Sequence, residues 1–133
     1  MAACAAFKWP VDKERAAFES GDLQKLSSGT SKGPWGEQVF ALELKPAKDV
    51  TFAAPTEAGP YQITISNPSW IELVQNGAAL KNVDHSGAKG CDGVGKSIRF
   101  NIGAAPVTLQ VSGSAGLTIN VSIRPVDAKA DTN

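Results

Sequence analysis

Gly90-Cys91-Asp92-Gly93-Val94-Gly95-Lys96-Ser97 satisfies the nucleotide-binding pattern GxxxxGK[ST] letter for letter. That chemistry needs more than the letters. A buried strand must deliver the glycines, their N–H groups must wrap the phosphates, and a following helix must turn its positive end toward them. Here residues 82–89 upstream are polar and lack strand character, while Ile98, Phe100 and Ile102 downstream alternate with Arg99 and Asn101 at the period of a strand. No apolar strand ending in an aspartate is at hand to hold magnesium. The octet reads as a glycine loop between extended segments, with nucleotide binding at Gly90 to Ser97 kept only as an alternative.

His85 is the single histidine, flanked by Asp84 and Ser86 and close in sequence to Lys89, Cys91 and Asp92. Nucleophilic catalysis needs a nucleophile, a base and an orienting group that converge from separate elements. Three adjacent letters in one loop do not supply that convergence. A metal held by Asp84, His85 and Asp92 would have few ligands and no second layer of hydrogen bonds to orient them. A small hydrolase or metal site around Asp84 and His85, drawing on Lys96, is therefore the alternative from the enzyme class. Paired carboxylates, Asp12 with Glu14 or Glu43 with Glu72, are the remaining acid–base candidates, although isolated acids on outward strand positions are ordinarily just solvated.

The aromatic rings offer a different chemistry, that of a stacking platform for sugars. Trp70 and Tyr61 sit among strand apolar residues and read as core. Trp35, in the turn Gly33-Pro34-Trp35-Gly36, is the ring expected to be partly exposed.

The elements that must position these residues are mostly strands. In Gly59 to Gly77, Tyr61, Ile63 and Ile65 alternate with Gln62, Thr64 and Ser66; Asn67-Pro68-Ser69 turns the chain; and Trp70, Ile71, Leu73 and Val74 resume before Asn76-Gly77, a pair suited to positive φ. The same period of two carries Phe40, Leu42 and Leu44, then Val50 and Phe52, which together suggest a hairpin. It returns in Ile98–Ile102, in Val107, Leu109 and Val111, and in Leu117, Ile119, Val121 and Ile123. Ala78 to Val83 is a weaker strand. Residues 84–95, with four glycines and no periodicity, read as a long loop.

Ahead of the strands, Trp9 to Gly21 predicts one short helix, with Pro10 suited to its first position. Asp12 and Glu14 suit its first turn, Gly21 offers a left-handed stop, and Phe7, Trp9, Val11, Ala17 and Phe18 can form an apolar stripe. Residues 22–36 read as a loop. The expected fold is all-β: one domain over 1–133, with an N-terminal helix and loop (1–36) packed on an antiparallel β-sandwich of jelly-roll type (37–125), about seven or eight strands, and a frayed tail (126–133).

Thirteen basic and thirteen acidic side chains cancel, so charge gives no reason to expect nucleic acid or an anionic membrane as partner. No apolar run approaches the roughly 18–20 residues of a membrane-crossing helix. Cys4 and Cys91 are the only cysteines. Their distant positions in a Gly/Ser-rich β chain fit an oxidising compartment and a disulfide whose long loop would be worth roughly 4 kcal/mol, with two free thiols in a cytosolic protein as the alternative.

The ordered run LELKPAKDVTFAAP, AGPYQITIS, WIELVQNG, KSIRFNIGAAPVTLQVSG and LTINVSIRP resembles the small jelly-roll domains of exported bacterial proteins, the pre-peptidase C-terminal type. It is similar also to uncharacterised exported bacterial proteins that begin with a cysteine and a Trp-Pro helix. The resemblance covers most of residues 37–125. It implies a periplasmic or secreted protein with a non-catalytic binding or accessory role in the cell envelope, no cofactor, and a protein partner or glycan as ligand. Trp35, Asp84, His85, Lys89, Asp92 and Lys96 are the residues expected to make that contact.

Overall fold

The computed structural model describes residues 7–67, 69–87, 91, 93–113 and 116–126. Among them one helix, α1 (Asp12–Glu19), precedes eleven strands: β1 (Gln24–Ser27), β2 (Thr30–Pro34), β3 (Gln38–Glu43), β4 (Asp49–Ala53), β5 (Gly59–Ile65), β6 (Ile71–Gln75), β7 (Ala78–Ala79), β8 (Asp84–Ser86), β9 (Lys96–Ile102), β10 (Val107–Val111) and β11 (Thr118–Pro125). They form a six-stranded sheet in the order β1-β3-β11-β5-β9-β8 and a five-stranded sheet in the order β2-β4-β10-β6-β7. Neither sheet closes into a barrel.

Alternation decides which side chains meet. Phe40, Leu42, Tyr61, Ile63, Ile65, Ile98, Phe100, Ile102, Ile119, Val121 and Ile123 from the first sheet share one core with Val50, Phe52, Ile71, Leu73, Val107, Leu109 and Val111 from the second. Register aligns them as cross-strand neighbours: Ile63 lies opposite Ile98 and Ile123, and Leu109 opposite Val50 and Leu73. Each such side chain taken from water contributes about 1.5–3 kcal/mol, so this shared layer is the main source of stability. Gln75 is the polar exception in phase with the inward residues. It is satisfied, donating from Nε2 to the Gly103 and Ala105 carbonyls (2.7 and 2.8 Å) and accepting the Gly103 N–H at Oε1 (3.0 Å).

The connections differ from the simplest reading of the sequence. β3 and β4 do not form a hairpin, because each belongs to a different sheet, and β5 and β6 are divided between the sheets in the same way. Asn76 (φ 56°) and Gly77 (φ 76°) do adopt the left-handed turn their types favour, joining β6 to β7. The strand count exceeds seven or eight because Asp84–Ser86 form an edge strand, β8, where a loop was expected, and because residues 22–36 are not a loop. They supply β1 and β2, which run parallel to β3 and β4 and add one strand to the edge of each sheet, making both sheets mixed.

The N-terminal arm makes a further layer. Val11, Glu14 and Phe18 recur at helical spacing on the buried side of α1. With Phe7, Trp9, Cys91 and Val94 the apolar members form a second core on the outer face of the six-stranded sheet. That coverage buries strand residues that alternate out of phase with the main core: Gln62, Thr64, Ser97 and Ser122. Gln62, Thr64 and Ser97 are paired polar to polar. Trp9 Nε1–H donates to Ser97 Oγ (2.9 Å), which lies 2.9 Å from Thr64 Oγ1. Glu14 Oε2 accepts from Gln62 Nε2 (2.5 Å) and Arg124 Nε (2.8 Å), while Gln62 Oε1 accepts from Arg99 Nε (3.0 Å). Arg99 also stacks over the Trp9 ring at 3.9 Å.

Candidate functional site

The structure separates the residues of the adjacent Asp84-His85-Ser86 set. β8 is an edge strand paired antiparallel with β9, so its side chains alternate: Asp84 and Ser86 turn to the arm, and His85 to the other side. Lys8 Nζ binds Asp84 at 2.8 Å, and the Lys8 backbone N–H donates to Ser86 Oγ (2.8 Å). The Lys8 hydrogen bond, with help from the His85 backbone N–H, holds the Asp84 carboxyl below the usual aspartate range. A carboxylate engaged by the arm on one face cannot orient an imidazole on the other. Among the described residues no cluster of three His, Cys, Asp or Glu side chains is placed to hold a metal.

Other candidates also part company. Asp12 is exposed where Glu14 is buried. Glu43 and Glu72 lie on different sheets, Glu43 beside Lys45 at 3.3 Å. The Gly90 octet leads into β9, not a helix: Lys96 opens the strand and Ser97 is fully buried beneath Trp9. No helix N-terminus therefore stands behind it to face a phosphate. Lys89 and Asp92 lie outside the described residues, as does Cys4, whereas Cys91 is buried in the arm core.

Trp35 and Trp70 exchange their expected places. Trp35 is 1 % exposed, its ring 5.1 Å from Phe52 and 5.8 Å from Tyr61, edge-on to both. β2 carries it there by adding to the second sheet, with the Trp35 N–H donating to the Ala53 carbonyl (3.0 Å). It cannot touch a ligand. Trp70 is 69 % exposed. It precedes Ile71, and because Ile71 and Leu73 point inward, Trp70 and Glu72 fall on the opposite phase. Its backbone is fastened to Ser112 in both directions, Trp70 N–H to Ser112 Oγ and Ser112 N–H to the Trp70 carbonyl, each 2.9 Å.

Trp70 stands at the mouth of a cleft of about 400 Å³ where β6 and β7 part from β8 and β9. Ile71, Leu80, Ile98 and Phe100 make its apolar wall, and Glu72, Lys81, Asn82, His85 and Lys96 bring polar groups to it. Lys96 Nζ lies 5.0 Å from the Trp70 ring centroid, within cation–π range. Trp70 also borders an open trough of about 350 Å³ lined by Lys48, Asp49, Glu72, Gln110, Val111 and Ser112. Asp49, Gln110 and Glu72 are register partners across β4, β10 and β6, so they form one row on the outer face of the five-stranded sheet. An exposed ring fixed by its backbone, with hydrogen-bond donors and acceptors beside it, is suited to binding.

Of the residues expected from sequence, the cleft gathers His85 and Lys96. Lys81 and Asn82 were missed; Trp70 was weighed as a stacking ring but read as core, and Glu72 was weighed only as an acid paired with Glu43, although the strand phase of both points outward. The chain matches no protein-family model and no curated protein. No helix among the described residues is long and apolar enough to cross a membrane.

Proposed function

We propose that this protein is a non-catalytic, exported β-sandwich module of the bacterial cell envelope that binds a glycan at Trp70. The observation that carries the reading is the exposed, backbone-anchored indole at the mouth of a cleft ringed by Asn82, His85, Lys96 and Glu72. A pyranose offers an apolar C–H face to a ring and hydroxyls to the amide, imidazole, ammonium and carboxylate around it. Strand order supports the jelly-roll assignment: β3, β11, β5 and β9 interleave in one sheet and β4, β10, β6 and β7 in the other, with β1, β2 and β8 as edge additions.

Tryptophan fluorescence tests the binding reading directly, because Trp9 and Trp35 are buried and Trp70 alone is open to a quencher. A bound glycan should shield Trp70 from iodide. Trp70→Ala should remove the quenchable emission and weaken binding about thirtyfold, the effect of an aromatic hot spot worth about 2 kcal/mol. Unaltered quenching with every cell-wall glycan tried, alongside unchanged retention of Trp70→Ala on those glycans, would sink the reading. Protection by an envelope protein fraction in the same assay would favour a protein partner instead.

Export and a Cys4–Cys91 disulfide belong to the same proposal. Burial of Cys91 against Phe7, Trp9 and Phe18 supports the bridge, since Phe7 follows Cys4 closely in the sequence. Cell fractionation followed by thiol alkylation checks both: the protein is expected outside the cytoplasm and unlabelled until reduced. Cytoplasmic protein carrying two alkylated cysteines would refute export and bridge together.

A further inference from the structure

We infer that the glycan is an extended, uncharged chain that crosses Trp70, with one unit on the trough and its neighbours continuing into the cleft. This inference rests on the glycan reading above and adds to it the length, direction and charge of the ligand.

Three observations carry it. First, Trp70 and Glu72 line both depressions, so these are two halves of one surface divided by the indole. Second, Lys96 lines the cleft and not the trough, so its ammonium covers the ring from the cleft side. Trp70 is 69 % exposed and borders the trough as well, which leaves open indole surface there for a flat sugar to stack on. Third, the floor beside that open face is the row Asp49–Gln110–Glu72, whose acceptors and amide are spaced by the sheet itself at about 4.8 Å per strand. Such a row meets successive hydroxyls of a ligand that runs across the strands. The lining mixes Asp49 and Glu72 with Lys48, Lys81 and Lys96, so it presents no single-sign field to select an anionic chain, and Gln110 between the two carboxylates suits neutral hydroxyls. A single sugar would fill only one side of the ring.

The test is a calorimetric series with cello- and chito-oligosaccharides of one to six units, and oligogalacturonides as the anionic comparison. Affinity for at least one neutral series is expected to rise about tenfold or more, some 1.4 kcal/mol, from monosaccharide to hexasaccharide, with oligogalacturonides weaker. Gln110→Ala, an exposed change on β10, and Asn82→Ala, on the cleft side, should each flatten the length dependence without moving the thermal midpoint. Equal affinity for monosaccharide and hexasaccharide would overturn the extended chain while leaving a single stacked sugar at Trp70. Tighter binding of oligogalacturonides would overturn the neutral assignment. No binding by any series would overturn this inference together with the glycan reading.

Discussion

Glu14→Ala is expected to lower stability by about 3 kcal/mol and to release the N-terminal arm from the sheet. Glu14 is 1 % exposed, and its Oε2 is the acceptor shared by Arg124 and Gln62. Removing one member of a buried ion pair costs about 3–5 kcal/mol, because the partner keeps its charge and loses its compensation. Arg124 retains 24 % side-chain exposure, so water recovers part of that loss and the lower end applies. Gln62 meanwhile loses its acceptor while still holding Arg99 through Oε1.

The disruption should be local before it is global. α1 meets the sheet through Val11, Glu14 and Phe18, whereas the main core is built without the arm. In the variant, Trp9 should become accessible to iodide while Trp35 stays shielded, the signature of a separately opening unit. Urea denaturation with quenching measured at each step reads both effects. A midpoint equal to that of the parent protein, with Trp9 still protected, would show that the apolar stripe alone holds the arm.

The polar pairs beneath α1 also show where sequence reading stops. Alternation identified the inward residues of β3, β4, β5, β9, β10 and β11, because a half-buried strand writes its buried face into every second residue. It failed at Leu117, which precedes β11 and is 38 % exposed despite continuing the pattern. Gln62, Thr64, Ser97 and Ser122 read as wet by the same rule, yet they are buried, since the helix that covers them comes from the far end of the chain. Nothing local in those strands encodes that cover. β1 and β2 were equally silent: QKLS and TSKGP have no alternating large apolar residues, and their strand character comes from parallel pairing with β3 and β4. Sheet membership was hidden too, because alternation is the same whether the next strand lies beside its predecessor or across the core.

The candidate site was half legible for a related reason. His85 and Lys96 were found as polar residues near a glycine loop. Trp70 was assigned to the core because it sits among apolar letters, although the inward phase of Ile71 and Leu73 already places it outside. Trp35 gave the opposite error: a turn signal, Gly33-Pro34, suggested exposure, while the parallel strand before it folds the ring over the end of the core.

Trp35→Ala should therefore be among the most damaging single changes in the chain, costing about 3–5 kcal/mol. Trp35 heads the largest fully buried side chains, and its ring touches Phe52 of one sheet and Tyr61 of the other. Deleting it opens a cavity where the two sheets meet, and the surrounding strands, held by their ladders, can close it only in part. The indole N–H adds a second, opposing term. Nε1 is buried without a hydrogen-bond partner among the described residues, and leaving such a donor unpaired costs about 1–3 kcal/mol. Trp35→Phe keeps most of the ring and removes that donor, so it should be milder than Trp35→Ala by at least about 2 kcal/mol. Urea midpoints at unchanged slope give both differences. If alanine costs less than about 1 kcal/mol, in the range of an ordinary surface change, the indole does not join the sheets; if phenylalanine is as damaging as alanine, the N–H has a partner that matters.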